Sequence, residues 1–94
     1  MIRRQLDLFV DESADLIAAC DDAERAYDAA GRDEAEEKYG EYLDLVETGT
    51  ERLAELRDNF ASAMDETAAE QYEHEFNQAV QVRLPRFALG IENA

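Results

Sequence analysis

The stretch DEAEEKYGEYLDLVETGTERLAELRDNFASAM, residues 33–64, decides the fold of this 94-residue chain. Its apolar or small residues recur at alternating steps of three and four, and no charged residue interrupts the row. This spacing predicts one helix, roughly 45 Å long, that packs lengthwise on another helix. The positions are Ala35, Tyr39, Tyr42, Val46, Gly49, Leu53, Leu56, Phe60 and Ala63.

A second stripe of the same spacing predicts a preceding helix over residues 2–30. Gly31 is typical of a helix C-terminus, and Asp33 followed by Glu36 is typical of a capped helix start. Because these signals are so close, the two helices are predicted to form a tight antiparallel hairpin. The stripe consists of Leu6, Phe9, Ser13, Leu16, Cys20, Ala23, Tyr27 and Ala30.

The predicted hairpin also gives Gly49 a packing role. With the turn near Gly31, facing residue numbers add to about 63, which sets Gly49 opposite Ser13 and Ala14. A glycine inside a helix costs about 1 kcal/mol relative to alanine, and a close approach of the two backbones would offset this cost. A kink beside Gly49 is the alternative.

Helix signals weaken after Met64. Thr67 with Glu70 forms a capping box, which favours a turn near Asp65 and a third helix over residues 67–84, although one unbroken helix to Leu84 is the alternative. Pro85 ends that helix, and residues 85–94 form an apolar tail. The fold class predicted for residues 1–94 is therefore a single all-α domain, a three-helix bundle made of a long hairpin, a shorter third helix and the tail.

The predicted third helix reaches back only as far as Gly49, so the turn end of the hairpin lacks a cover. Either the tail folds over it or a second subunit does, and a two-fold homodimer is the favoured interpretation. The candidate interface consists of Tyr39, Tyr42, Leu43 and Leu45 on the long helix with Phe87, Leu89 and Ile91 in the tail.

The charge of the chain is strongly negative, −15 from 24 acidic and 9 basic residues. Only one basic residue is lysine, and this profile resembles proteins of halophiles that keep molar salt inside the cell, where the Debye length is about 3 Å. An acidic protein from another GC-rich organism is the alternative origin. Nucleic-acid binding is not expected, because no basic face is present to replace counterions.

The location expected from the sequence is the cytoplasm. A single cysteine, Cys20, excludes an internal disulfide and fits a reducing compartment. The start of the chain meets Asp7, Asp11 and Glu12 before any apolar core of a signal peptide, and no apolar run is long enough to span a membrane.

Motifs for catalysis or cofactor binding are not found. The only histidine, His74, is expected on the outer face of its helix beside Glu70, and residue 71 is Gln, so the Glu-x-x-His pattern of di-iron bundles is missing. Cys20 is interpreted as a small buried residue, with no His or Arg expected nearby to lower its pKa. We expect no metal, cofactor or small-molecule substrate.

The function predicted from these features is a non-enzymatic helical interaction or assembly protein that self-associates. The alternative is an acidic regulator or DNA mimic that binds a basic protein through its carboxylates.

Overall fold

The computed structural model describes all 94 residues and is entirely helical, without strands. The all-α prediction is confirmed, but the three-helix bundle is not, because the chain forms five helices. They are α1 (Ile2–Glu12), α2 (Ala14–Ala29), α3 (Ala35–Ala61), α4 (Glu66–Arg83) and α5 (Ala88–Glu92), with a 3₁₀ turn at Pro85–Phe87 between the last two.

The predicted first helix, residues 2–30, is broken at Ser13. Its φ and ψ of −109° and 22° are not helical, although its N–H still donates to the Phe9 carbonyl at 2.8 Å. Helix α1 packs against α4, where the Tyr72 hydroxyl donates to Oε1 of Gln5 at 2.8 Å. Since Ser13 is neither Gly nor Pro, the sequence carried no strong signal for this break.

Helices α2 and α3 pack against each other over the length of α2. The Tyr27 and Tyr39 rings lie 5.1 Å apart near the loop, and Nη1 of Arg52 donates to Oγ of Ser13 at 3.4 Å at the other end. The two helices are therefore antiparallel. The residue numbers of the two contacting pairs add to 66 and 65, close to the predicted sum of about 63.

The loop between α2 and α3, Ala30–Glu34, differs from the prediction. No glycine has a positive φ, so Gly31 is not a left-handed cap, and α2 ends at Ala29 with an extended Ala30. Helix α3 begins at Ala35 after Glu34, without the predicted side-chain cap from Asp33. It continues unbroken through Gly49, as predicted.

A turn separates α3 from α4, and the alternative of one unbroken helix is wrong. The cap is not the predicted Thr67–Glu70 box: Oδ1 of Asp65 accepts a hydrogen bond from the backbone N–H of Ala68 at 2.9 Å. Helix α4 ends at Arg83, just before Pro85, because proline disfavours helical backbone at the preceding residue.

The C-terminal segment, Pro85–Ala94, is part of the core rather than a tail. Phe87 and Ile91 are 1% and 0% exposed, and the Phe87 ring meets the edge of Phe9 at a centroid distance of 5.9 Å. The other buried apolar residues are Leu6, Phe9, Cys20, Leu53, Ala61, Tyr72, Phe76 and Val80.

Gly49 makes the close approach expected of it, but with a different partner. A Cβ atom built on Gly49 would lie 2.8 Å from Cζ of Phe87 and closer still to its Cε1. Gly90 of α5 makes a second close approach to α3, since a Cβ atom built on Gly90 would lie 2.8 Å from Cγ2 of Thr50. Two glycines therefore let the C-terminal segment lie directly on α3.

Arg57 is the one buried charged residue, and it binds the end of α5. Its Nη1 donates to the Ile91 carbonyl at 2.9 Å and to Oδ1 of Asn77 at 3.1 Å, and its Nη2 donates to the backbone oxygen of Ala94 at 3.2 Å. Its Nε pairs with Asp58 at 2.8 Å. The guanidinium thereby ties α3 to the C-terminal segment through charge-assisted hydrogen bonds.

We predict that Gly49→Ala destabilises the protein by about 1–3 kcal/mol, because the new methyl group displaces the Phe87 ring. Gly40→Ala is the matched control: Gly40 also lies inside α3, but nothing lies within 4 Å of a Cβ built there. The control should therefore raise stability by about 0.5–1 kcal/mol through helix propensity. Urea unfolding of both variants measures the difference, and equal effects of the two substitutions would contradict the close approach.

Candidate functional site

The half of the α2–α3 pair nearest its loop extends from the body of the molecule, and we call residues 21–43 the arm. None of the residues from Asp21 to Thr48 is buried, and the whole molecule measures 50 × 24 × 19 Å. The other elements do not cover the arm, which consists of two helices in contact only with each other beyond its base.

The arm is strongly acidic. Its nine acidic and three basic residues give a net charge of −6, while the remaining 71 residues share the other −9. Two of the three basic side chains already pair within the arm, Arg25 with Asp22 and Lys38 with Glu41 at 3.6 Å. The acidic residues are Asp21, Asp22, Glu24, Asp28, Asp33, Glu34, Glu36, Glu37 and Glu41.

Three large apolar or aromatic side chains of the arm face solvent. Tyr39 and Leu43 are 45% and 43% exposed and lie four residues apart, on one side of α3. Tyr27 of α2 contacts Tyr39 and is 38% exposed. Tyr27 was not among the predicted interface residues, although its place in the stripe of the first helix was the available signal.

The other predicted interface residues are divided between the core and the surface. Phe87 and Ile91 are buried in the core of the chain itself, so they are not available to form an interface. Leu45 is half-buried and packs against that core, whereas Leu89 on α5 is 76% exposed. Leu89 therefore lies on the surface, apart from Phe87 and Ile91 of the same segment, which lie in the core.

Tyr42 is held at the base of the arm by Arg86. Nε of Arg86 donates to the Tyr42 hydroxyl at 3.1 Å, its guanidinium lies 5.6 Å from the ring centroid, and Nη2 pairs with Asp21 at 2.9 Å and Glu24 at 3.5 Å. Burial opposes the charged form, but the Tyr42 hydrogen bond and Asp21 outweigh it and raise the pKa of Arg86 above its ordinary value. The C-terminal segment thus binds the arm through one arginine.

A second surface feature lies between α1 and α4, and we call it the α1–α4 groove. It has a volume of about 710 Å³, with Leu6 at its floor and Val82, 86% exposed, at its edge. Sequence reasoning missed this groove because it assigned α1 to the face of α3. The lining residues are Ile2, Arg3, Leu6, Asp7, Glu75, Gln78, Ala79, Val82 and Arg83.

Cys20 is fully buried near Arg86, which corrects the expectation that no arginine lies nearby. Burial raises the pKa of the Cys20 thiol, Arg86 opposes this and Asp21 adds to it, with a net upward shift. His74 is exposed on α4, in agreement with its predicted outer face. No group of three or more His, Cys, Asp or Glu side chains is arranged to hold a metal ion.

None of the five helices combines the length and apolar character needed to cross a membrane. No protein-family model, curated protein or solved structure matches this chain.

We predict a pH dependence of stability that originates at Cys20. Because the thiol pKa is raised in the folded state, the unfolded chain ionises first as the pH rises through about 8.5, and folding then loses free energy by at most about 1.4 kcal/mol per pH unit. Urea unfolding of the wild type and of Cys20→Ala between about pH 7 and pH 10 measures this loss.

The comparison with Cys20→Ala removes the effect of Tyr72, whose pKa is also raised by burial and which is present in both proteins. The wild type should lose stability more steeply than the variant. Parallel pH profiles would show that burial of Cys20 does not perturb its ionisation.

Proposed function

We propose that this protein is a non-enzymatic interaction module that self-associates, and that the arm is its binding element. The observation that carries the proposal is the exposure of Tyr27, Tyr39 and Leu43 together on an extension that no other helix covers. Exposed aromatic and aliphatic side chains of this kind are typical of protein interfaces, where burial of apolar surface supplies the binding free energy.

The charge around these residues supports an assembly that works at high salt. An arm with a net charge of −6 repels other acidic surfaces in dilute buffer, whereas molar salt screens the repulsion within about 3 Å and strengthens apolar contacts. This matches the halophile-type composition. The free thiol of Cys20 supports a reducing, cytoplasmic location.

The proposal assigns no catalytic residue. The only histidine lies exposed on α4, and the only cysteine lies in the core. The function proposed here therefore depends on surface shape and charge, not on a reacting group.

A second candidate function is supported by the nine carboxylates of the arm, which suit a basic protein partner. The two candidates respond to salt in opposite ways. Contacts between carboxylates and a basic partner weaken steeply as salt rises, while apolar self-association persists or strengthens.

We predict that the wild type is a dimer or larger species in about 2 M KCl and dissociates toward a monomer in about 0.1 M KCl. Leu43→Glu should weaken the association at least about tenfold, because it buries a new charge at the interface. Light scattering during size-exclusion chromatography measures both effects.

Leu8→Glu is the matched control, since Leu8 is 50% exposed and lies on α1, outside the arm. It should leave the association unchanged. A wild type that stays monomeric at every salt and protein concentration would contradict the proposal, and so would equal effects of the two leucine substitutions.

A further inference from the structure

We propose that the arm opens as a folding unit of its own while the core stays folded, and that Arg86 is the latch that limits this opening. Opening here means loss of the helical structure of residues 21–43 in a single copy of the chain. The proposal goes beyond self-association, because it concerns how the arm is kept folded in the absence of any partner.

The arm has few of the contacts that stabilise the rest of the molecule. None of the residues 21–48 is buried, and the ten buried apolar residues of the core all lie outside this range. Helices α2 and α3 contribute only nine residues each to the arm, residues 21–29 and 35–43. Since helical segments shorter than about 12–15 residues are marginally stable on their own, the arm depends on what binds it at its base.

Two further features lower the stability of the arm. Gly40 lies inside α3, where glycine disfavours helix, and nothing lies within 4 Å of a Cβ built there to offset this cost by close packing. The net charge of −6 also opposes folding of the arm in dilute salt, because like charges four residues apart on a helix, such as Glu37 and Glu41, repel. A segment with so few buried contacts opens more often than the core to which it is attached.

Arg86 makes every side-chain hydrogen bond and ion pair between the arm and the rest of the chain. Its Nε donates to the Tyr42 hydroxyl of α3 at 3.1 Å, and its Nη2 lies 2.9 Å from Oδ1 of Asp21 and 3.5 Å from Oε2 of Glu24 on α2. One guanidinium thus holds both helices of the arm. Because the Arg86 side chain is only 20% exposed, salt and water weaken these contacts less than they weaken fully exposed ion pairs.

The backbone of Arg86 is fixed on the core side of this contact. Its neighbour Phe87 is 1% exposed and lies against Gly49 and Phe9. The arm can therefore open by breaking the contacts of the Arg86 side chain, while Phe87 keeps its place in the core. Arg86 accordingly marks the boundary between the two folding units.

Native-state hydrogen exchange in about 0.1 M KCl tests the separate opening, with the amides of Tyr27 and Tyr42 as reporters of the arm and that of Leu53 as reporter of the core. The opening constants of the arm amides should exceed that of the core amide at least about tenfold. Ile91→Val, which removes one buried methyl group, should raise the opening constant of Leu53 by about 2- to 12-fold and leave the arm amides unchanged. If the arm opened only by global unfolding, this substitution would affect all three amides alike, and that result overturns the proposal.

Substitution of Arg86 tests the latch. Arg86→Gln should raise the opening constants of the arm amides at least about tenfold, because charge-assisted hydrogen bonds are lost. Arg83→Gln is the matched control and should leave the arm amides unchanged, since the ion pair of Arg83 with Asp7 lies outside the arm. Tyr42→Phe removes one acceptor without changing the charge. It should raise the opening constants by a smaller factor, and it replaces Arg86→Gln as the test if that variant does not fold.

Arm amides that respond equally to the two arginine substitutions, or to neither, overturn the role of Arg86 as the latch. Self-association is measured separately, by light scattering. A latch without association, or association without a latch, therefore identifies which of the two proposals fails.

Discussion

The contact between the C-terminal segment and the middle of α3 is the constraint on which the rest of this structure depends. Phe87 lies where Gly49 has no side chain, and Gly90 lies directly on Thr50. Arg57 completes the contact by donating to the carbonyl groups at the end of α5. Because Phe87 and Ile91 supply two of the largest fully buried side chains, the core is incomplete without this segment.

This contact also determines what remains exposed. The C-terminal segment lies on α3 at Gly49, and Arg86 binds Asp21 and Tyr42 at the base of the arm. The arm is therefore left with its own two helices and a dense row of carboxylates. Helix α1 covers one face of α4. The α1–α4 groove is the part of that face that α1 does not cover completely.

The local signals of the sequence predicted α3 and α4, but they missed the break at Ser13 and helix α5, and they predicted the packing partners poorly. The three-and-four spacing predicted α3 with a boundary error of two or three residues, and Pro85 predicted the end of α4. The start of α4 was predicted to within one residue, although from a Thr67–Glu70 capping box that does not form. An apolar stripe predicts that one face of a helix is buried, but it does not identify the element that covers this face. For this reason Gly49 was matched to Ser13 and Ala14 instead of Phe87, and the C-terminal segment was assigned to an interface instead of the core.

The break at Ser13 and the α1–α4 groove could not be predicted from the sequence, for a physical reason. The stripe of apolar residues continues in phase across Ser13, so local spacing favours one helix. The contacts that α1 makes beyond the break, such as Gln5 with Tyr72 and Phe9 with Phe87, join residues far apart in the sequence, and local spacing does not reveal them. Within the candidate interface, Tyr39 and Leu43 were identified correctly as apolar residues on the uncovered part of α3. Their exposure fits the interface prediction, which stays a prediction.

Native-state hydrogen exchange tests the central claim most directly, by comparing the amide of Phe87, which donates to the Leu84 carbonyl at 3.0 Å, with the amide of Leu53 in the middle of α3. If the C-terminal segment is part of the core, both amides exchange only through global unfolding, with opening free energies that agree within about 1 kcal/mol. Exchange of the Phe87 amide at a nearly unprotected rate, while the Leu53 amide stays protected, would contradict the account.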